Sequence, residues 1–390
     1  MRPILYLSSL LALLFSHSYI MAEVRSVEFN FYSEKIHLSY NTDLLQVPKP
    51  VIEGKNIKNY YASLQRTAHQ LLLNELKNQR NTLVLNDWLY YEMLRNATEQ
   101  IFNGRSNAEK NLLLWFCMSE SGFDTRVTFR EQRVFVCVYT TNEIYEAPLI
   151  EDRGRTFVNL SASNTKADEE GVFLLDFAAK PNGKSFVFGL SVLPGLKPQV
   201  EKKSLGFTYK GQNYSLEVNF DRNLVRMLER HPLIDEREYL KAPMSEVLRS
   251  SLLPQLTQLI KGKSGMEALE LLTVFTRSCF KYKEDKEYFG RSKPMVPDEL
   301  FHYPFSDCED RSALYYALVK ELLGWPMLII GFPDHLTIAV SIPEFDGDAI
   351  EYQGRKYYFC DPTGPANSAE IGRLPEEFIG QEYEILGQFN

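Results

Sequence analysis

The apolar positions along this chain change period several times, and the changes mark its elements. From Tyr60 onward, Leu64, Leu71, Leu72 and Leu76 follow the 3.6-residue spacing of an amphipathic helix. A second helix is expected from Trp88 to Phe102, stopped by Asn103-Gly104, and a third from near Ser106 through Leu112 and Phe116 to Gly122. Strand-like segments follow at Arg126–Phe129, Val134–Thr140 and Thr156–Leu160. Ahead of these, residues 23–48 read as a short extended lead-in ending at Pro48 and Pro50.

Residues 165–222 read as a β-rich module. Val172–Phe177 and Ser185–Phe188 flank Asn182-Gly183, a hairpin signal, and Phe207–Tyr209 and Tyr214–Phe220 flank Lys210-Gly211 in the same way. Helical spacing returns over 223–285, with Leu248, Leu252 and Leu256 on one face despite Pro254, and a further helix from Met266 to Phe280. The aromatic, charged stretch to Tyr303 reads as loop. Leu314, Leu318 and Leu322 then mark a helix over 309–323 stopped by Gly324, followed by strands at Met327–Phe332, His335–Ile342 and Arg355–Cys360. The fold class is α+β, with parts at residues 1–22, 23–164, 165–222 and 223–390.

Two readings of the chain's halves stand open, an internal repeat and a chance similarity with few identities. Shifted back by 202 residues, the helix ending at Gly324 falls on the helix ending at Gly122, with strands after both. In that register Cys308 falls on Ser106, His335 on Arg133 and Asp361 on Asn159. The first copy is then degenerate, without the chemistry of the second.

Composition narrows the class. A net charge of −8 and the lack of a Lys/Arg run argue against nucleic acid and against an anionic membrane surface as partners. Residues 1–22 carry a basic start, an apolar run and small-residue cleavage candidates at Ser16–Ser18 and Ala22, the pattern of a secretory signal peptide. The run is shorter than the roughly 20 residues of a membrane span. The expectation is an exported protein, periplasmic or associated with the cell envelope, without stable membrane insertion. Five cysteines, an odd number, leave at least one thiol free; Cys117 and Cys137 could pair, which sequence does not decide.

Cys308, His335 and Asp361 follow one another at helix and strand boundaries, in the order thiol, imidazole, carboxylate. Such a set supplies a nucleophile, a general base and acid, and an orienting group. The helix N-terminus at Cys308 favours a thiolate. Glu309 and Asp310 oppose it and are expected to point away or to pair with Arg311. Antiparallel pairing of the strands at 335 and 355 places Asp361 beside His335. Singly, each residue has a structural explanation: a buried helix-start thiol, a strand histidine, a cap on the Pro362-Thr363-Gly364 turn. Cys308, His335, Cys360 and Asp361 also match zinc ligands in type but lack the close paired spacing of structural zinc sites.

Asp307-Cys308-Glu309-Asp310-Arg311, Gly331-Phe332-Pro333-Asp334-His335 and Tyr358-Phe359-Cys360-Asp361-Pro362-Thr363 resemble the three blocks of the transglutaminase-like superfamily, over about residues 245–375. The resemblance implies a papain-like core at the C-terminus, a helix carrying the cysteine packed on an antiparallel sheet. It also implies acyl transfer through a thioester on a peptide or protein amide, with Cys308 as nucleophile, His335 as base and acid, and Asp361 orienting the ring. Two departures stand out: Leu336 occupies a position often aromatic in the family, and the oxyanion side chain is not evident, Tyr288 being the candidate. Hydrolysis is favoured over transamidation, and no metal or organic cofactor is implied. The rival expectation is a non-catalytic envelope protein that uses these modules for binding or as a scaffold.

Overall fold

The computed structural model describes residues 23–161, 171–364 and 370–390; the segment read as a signal peptide lies outside the described residues. The chain is a mixed α+β structure with two large cores. The first half runs β1 (Val24–Phe31), β2 (Glu34–Asn41), α1 (Gly54–Gln65), α2 (Gln70–Thr82), α3 (Asp87–Ile101), α4 (Asn107–Glu120), β3 (Thr125–Arg130), β4 (Arg133–Tyr139), β5 (Ile144–Tyr145), β6 (Leu149–Asp152), β7 (Arg155–Asn159) and β8 (Phe173–Leu174). The second opens with β9 (Val200–Tyr209), β10 (Gln212–Asp221), α5 (Arg222–Leu228), β11 (Leu233–Ile234), α6 (Glu236–Leu240), α7 (Glu246–Ile260) and α8 (Gly265–Cys279). It continues through β12 (Lys281–Tyr282), α9 (Asp285–Tyr288), α10 (Pro297–His302), β13 (Phe305–Ser306) and α11 (Cys308–Leu322) to β14 (Met327–Phe332), β15 (His335–Val340), β16 (Ala349–Tyr352), β17 (Arg355–Cys360) and β18 (Glu384–Phe389). Among the described residues no helix is long and apolar enough to cross a membrane.

The two halves repeat one plan. Their five-stranded antiparallel sheets are ordered β6-β7-β4-β3-β8 and β16-β17-β15-β14-β18. In each, an N-terminal hairpin packs on two helices, β1 on α3 and β2 on α2, β9 on α8 and β10 on α7. In each, the last helix before the sheet lies on its second strand, α4 on β4 and α11 on β15. A side chain from that helix's first half bonds the same strand position: Asn111 Nδ2 donates to Val134 O at 2.8 Å and Ser312 Oγ to Leu336 O at 3.2 Å. Both helices end before a glycine at positive φ, Gly122 (94°) and Gly324 (64°), a conformation that suits glycine.

This geometry corrects the expected register by a residue or two. Reciprocal capping joins Ser106 to Glu109 and Asp307 to Asp310, which puts Asn107, not Ser106, in the place of Cys308. Cys137 lies opposite Asn159 and Ile338 opposite Cys360, which puts Ser161, not Asn159, in the place of Asp361. Arg133 and His335 both open their strands.

Three further expectations are revised. The lead-in at 23–48 is the β1–β2 hairpin, with Phe31, Ile36 and Leu38 buried on the first core. The hairpin expected about Asn182-Gly183 does not form. Its arms are drawn to their neighbours: β8 pairs with β3, Phe186 N–H donates to Tyr139 O and Asp124 N–H to Lys184 O. Gly183 fits because a Cβ there would lie 2.7 Å from the backbone nitrogen of Asp124. The module read at 165–222 is divided between the cores. Phe186, Phe188 and Leu190 belong to the first, whereas the β9–β10 hairpin sets Phe207, Leu216 and Phe220 into the second. All five cysteines are free, so Cys117 and Cys137 are two separate buried thiols.

Candidate functional site

α11 starts at Cys308 because Asp307 and Asp310 close its first turn, with Asp307 N–H donating to Asp310 Oδ2 at 3.1 Å. Leu314, Tyr315, Leu318 and Val319 then bury the helix in the second core. Arg311, 1% exposed, turns inward and bonds three oxygens: Ser306 Oγ at 3.1 Å, Thr363 O at 2.8 Å and Phe280 O at 2.5 Å. One buried guanidinium therefore ties the first turn of α11 to the turn that follows β17.

β15 and β17 are antiparallel, so the start of one lies beside the end of the other. His335 Nε2 is 3.4 Å from Asp361 Oδ2. Thr363 closes a tight turn on Asp361: its N–H and its hydroxyl bond Oδ1 at 2.9 and 2.5 Å. The hydroxyl proton is thus spent on Asp361, and Thr363 Oγ1, 3.2 Å from His335 Nε2, accepts from the ring. That bond puts the proton of a neutral ring on Nε2 and the lone pair on Nδ1. Phe378 stacks on the imidazole at 4.6 Å and 9°. Arg277 Nε donates to Asp361 O at 2.9 Å, fixing the strand end. Burial opposes ionisation of Asp361, but the bonds from His335 and Thr363 outweigh it and hold the carboxyl below its ordinary range.

Cys308 is 9% exposed. Its sulfur faces the backbone N–H of Leu336, the residue after His335 and beyond the last β15–β17 pair. The thiol donates its hydrogen bond to Glu309 Oε2 at 3.0 Å, not to the imidazole. The expectation of turning away or pairing with Arg311 holds for Asp310, which points to backbone N–H groups, and is corrected for Glu309. Arg311 is consumed by carbonyls and Ser306, and Asp310 by the N–H groups of Asp307 and Met295, so Glu309 lies on the thiol. Burial, then Glu309, then Asp307 push the thiol well above its ordinary range, and the Leu336 N–H works the other way. In this arrangement burial and the neighbouring carboxylate overcome the helix N-terminus.

Asp285, Asp307 and Asp310 are buried, with ligand atoms within 4.8 Å of one another, the described group whose spacing could hold a cation. Backbone N–H groups already meet them: Lys293 N–H on Asp285, Asp285 N–H on Asp307, and two on Asp310. Burial and mutual repulsion push Asp307 and Asp310 well above the carboxylate range.

Tyr288, the oxyanion candidate, sits beside β13. Its ring is 41% exposed and packs edge-on against Phe289 and Phe305. Tyr282, not singled out from sequence, lies 5.1 Å below the Arg311 guanidinium and donates to Glu284 at 2.6 Å. Thr363, Arg277, Arg311 and Phe378 were also missed. The Asp-Pro-Thr spacing carries the signal for Thr363, since a side-chain oxygen two residues before an N–H favours that turn.

Compared with models of known protein families, with curated proteins and with solved structures, this chain has no match.

Proposed function

We propose that this chain is a cysteine enzyme with transglutaminase-like chemistry, attacking a peptide or protein amide through a thioester. The observation that carries the reading is the oriented imidazole: Asp361 and Thr363 hold Nε2, leaving the Nδ1 lone pair, one residue from the N–H that meets the Cys308 sulfur. Once the thiol leaves Glu309, Nδ1 takes its proton, and Asp361 stabilises the imidazolium. The thiolate attacks the carbonyl carbon; the amine departs with the proton from His335, leaving a thioester. Water, activated by the same ring, then releases the acid and restores the thiol. Hydrolysis is preferred over transamidation, and the first unit, with Asn107, Arg133 and Ser161 in the corresponding places, is a degenerate copy. The pattern of residues 1–22 supports export to the periplasm or envelope.

The test is the rate of iodoacetamide alkylation at Cys308 against pH, located by mass spectrometry, with His335→Ala and Asp361→Asn alongside. Labelling that persists below pH 7 and falls in both variants supports a working pair. A labelling rate unchanged by both variants, in the native chain and in Glu309→Gln alike, sinks the enzyme reading in favour of a binding protein, since the thiol released from Glu309 should then answer to the imidazole.

A further inference from the structure

Three clefts share their walls across the two units. The first, about 730 Å³, lies where the end of β7 meets α3 and the α5–β11 connection. The second, about 340 Å³, shares Tyr145 and Leu233 with it and reaches Glu309, the residue on the thiol. The third, about 710 Å³, shares Glu236, Glu384 and Leu386 with the second and runs along Phe332-Pro333, just before His335. We propose that together they form one groove for an extended polypeptide, with a basic side chain in the middle cleft and a carboxylate on Arg95. Calling the middle cleft the neighbour of a nucleophile rests on the enzyme reading above; the groove itself does not.

The distribution of charge specifies the occupant. The middle cleft carries Glu143, Asp235, Glu236, Glu309 and Glu384 against one cation, Arg237, whose Nε is bound to Asp235 at 2.8 Å. Four carboxylates there are left without that compensation, which suits Lys or Arg. In the first cleft the acids are already engaged: Glu92 by Tyr32 (2.6 Å) and Arg230 (3.5 Å), Glu146 by Arg291 (3.6 Å), Glu229 by Arg222 (3.0 Å). Arg95 has no ion pair among the described residues and stands 6.0 Å from the Tyr91 ring. Trp88 and His231 line the same cleft, but each is only 8% exposed, and Trp88 Nε1 and His231 Nε2 lie behind its surface. A small ligand would fill one cleft; three joined across two units suit a chain.

The test uses the full protein carrying Cys308→Ala, which removes turnover, and fluorescence polarisation of labelled ten-residue peptides. One has a central Lys and a free C-terminus; one has Glu for that Lys; one is C-terminally amidated. The Lys peptide is expected to bind about tenfold more tightly than the Glu peptide, and the free acid several-fold more tightly than the amide. Arg95→Gln should abolish the acid-amide difference, and Glu236→Gln with Glu143→Gln should shrink the Lys-Glu difference. Equal binding of all three peptides, no binding, or insensitivity to Arg95→Gln overturns the groove. Rapid His335-dependent alkylation without charge-selective binding would refute the groove and leave the nucleophile; charge-selective binding to a chain whose thiol is inert would do the reverse.

Discussion

Glu309→Gln isolates the interaction that restrains Cys308. The carboxylate oxygen is 3.0 Å from the sulfur, so an ionised pair is strongly repulsive. Coulomb's law at that separation gives roughly 5 kcal/mol at an effective dielectric of about 20 and roughly 1.4 kcal/mol at about 80. Glu309 is half-buried and opens on the middle cleft, so a value between these limits applies, about 2–3 kcal/mol or ~1.5–2 pKa units. Each unit removed raises the thiolate fraction about tenfold but lowers its intrinsic nucleophilicity about threefold. The net expectation is alkylation at pH 7 faster by about 5–15-fold in Glu309→Gln, with the rise of rate with pH moved to lower pH. The effect acts directly on the sulfur, so the gain is retained in the double variant with His335→Ala. The assay is iodoacetamide labelling of Cys308 over pH 5.5–9, read by mass spectrometry. A variant that labels at the wild-type rate would mean that burial alone restrains the thiol; slower labelling would make Glu309 an activating group and reverse the argument.

Three further outcomes follow from other parts of the molecule. Burial holds His231 at about 4, below its ordinary value near 6.5, so as a base kept neutral it contributes stability that is complete above pH 6.5 and is lost as the pH falls through 6.5 toward 4. The urea-midpoint gap between the native chain and His231→Gln should therefore close between pH 7 and 4.5, and a constant gap would refute this. Arg311→Lys replaces a buried fork that bonds three oxygens with a single ammonium, and should cost about 3–5 kcal/mol in urea unfolding; a loss under about 1 kcal/mol would show that the tie is not needed. Gly183→Ala forces a Cβ against the backbone of Asp124 and Phe123, with an expected cost of about 1–3 kcal/mol. An unchanged midpoint there would mean that the turn can shift.

Where apolar spacing decided an element, the reading from residues alone came close. α11 and its stop at Gly324, the strands at 327 and 335, and the pairing that sets Asp361 beside His335 are local patterns joined by one antiparallel step. What escaped depended on distant partners. The β1–β2 hairpin looked like a lead-in because Phe31 and Ile36 acquire meaning only against α2 and α3. Asn182-Gly183 carried a hairpin signal, yet Tyr139 O and the Asp124 N–H compete successfully for its arms. The edge strands β16 and β18 carry no such local signal, since short edge strands take their order from the sheet they join. The Glu309 contact was hidden for the same reason: among three adjacent charges, nothing local says that Arg311 will be spent on Thr363 O and Phe280 O.

The comparison between the halves bears on why the second keeps its polar set. Both units close the helix start by reciprocal capping, both tie that helix to the second strand by one side-chain bond, and both order five strands in the same way. The first does this with Asn107, Arg133 and Ser161 where the second has Cys308, His335 and Asp361. Ser161 there serves the backbone, its Oγ accepting the Val136 N–H at 3.1 Å. The plan therefore does not need a thiol, an imidazole and a carboxylate at these points in order to fold. Burying Asp361 and most of His335 at the end of a sheet costs desolvation that the first unit avoids at the same positions. A polar set that the scaffold can do without, held by Thr363 and Arg277 in one orientation, is what the proposed cysteine chemistry would require and what the stability of the sheet does not.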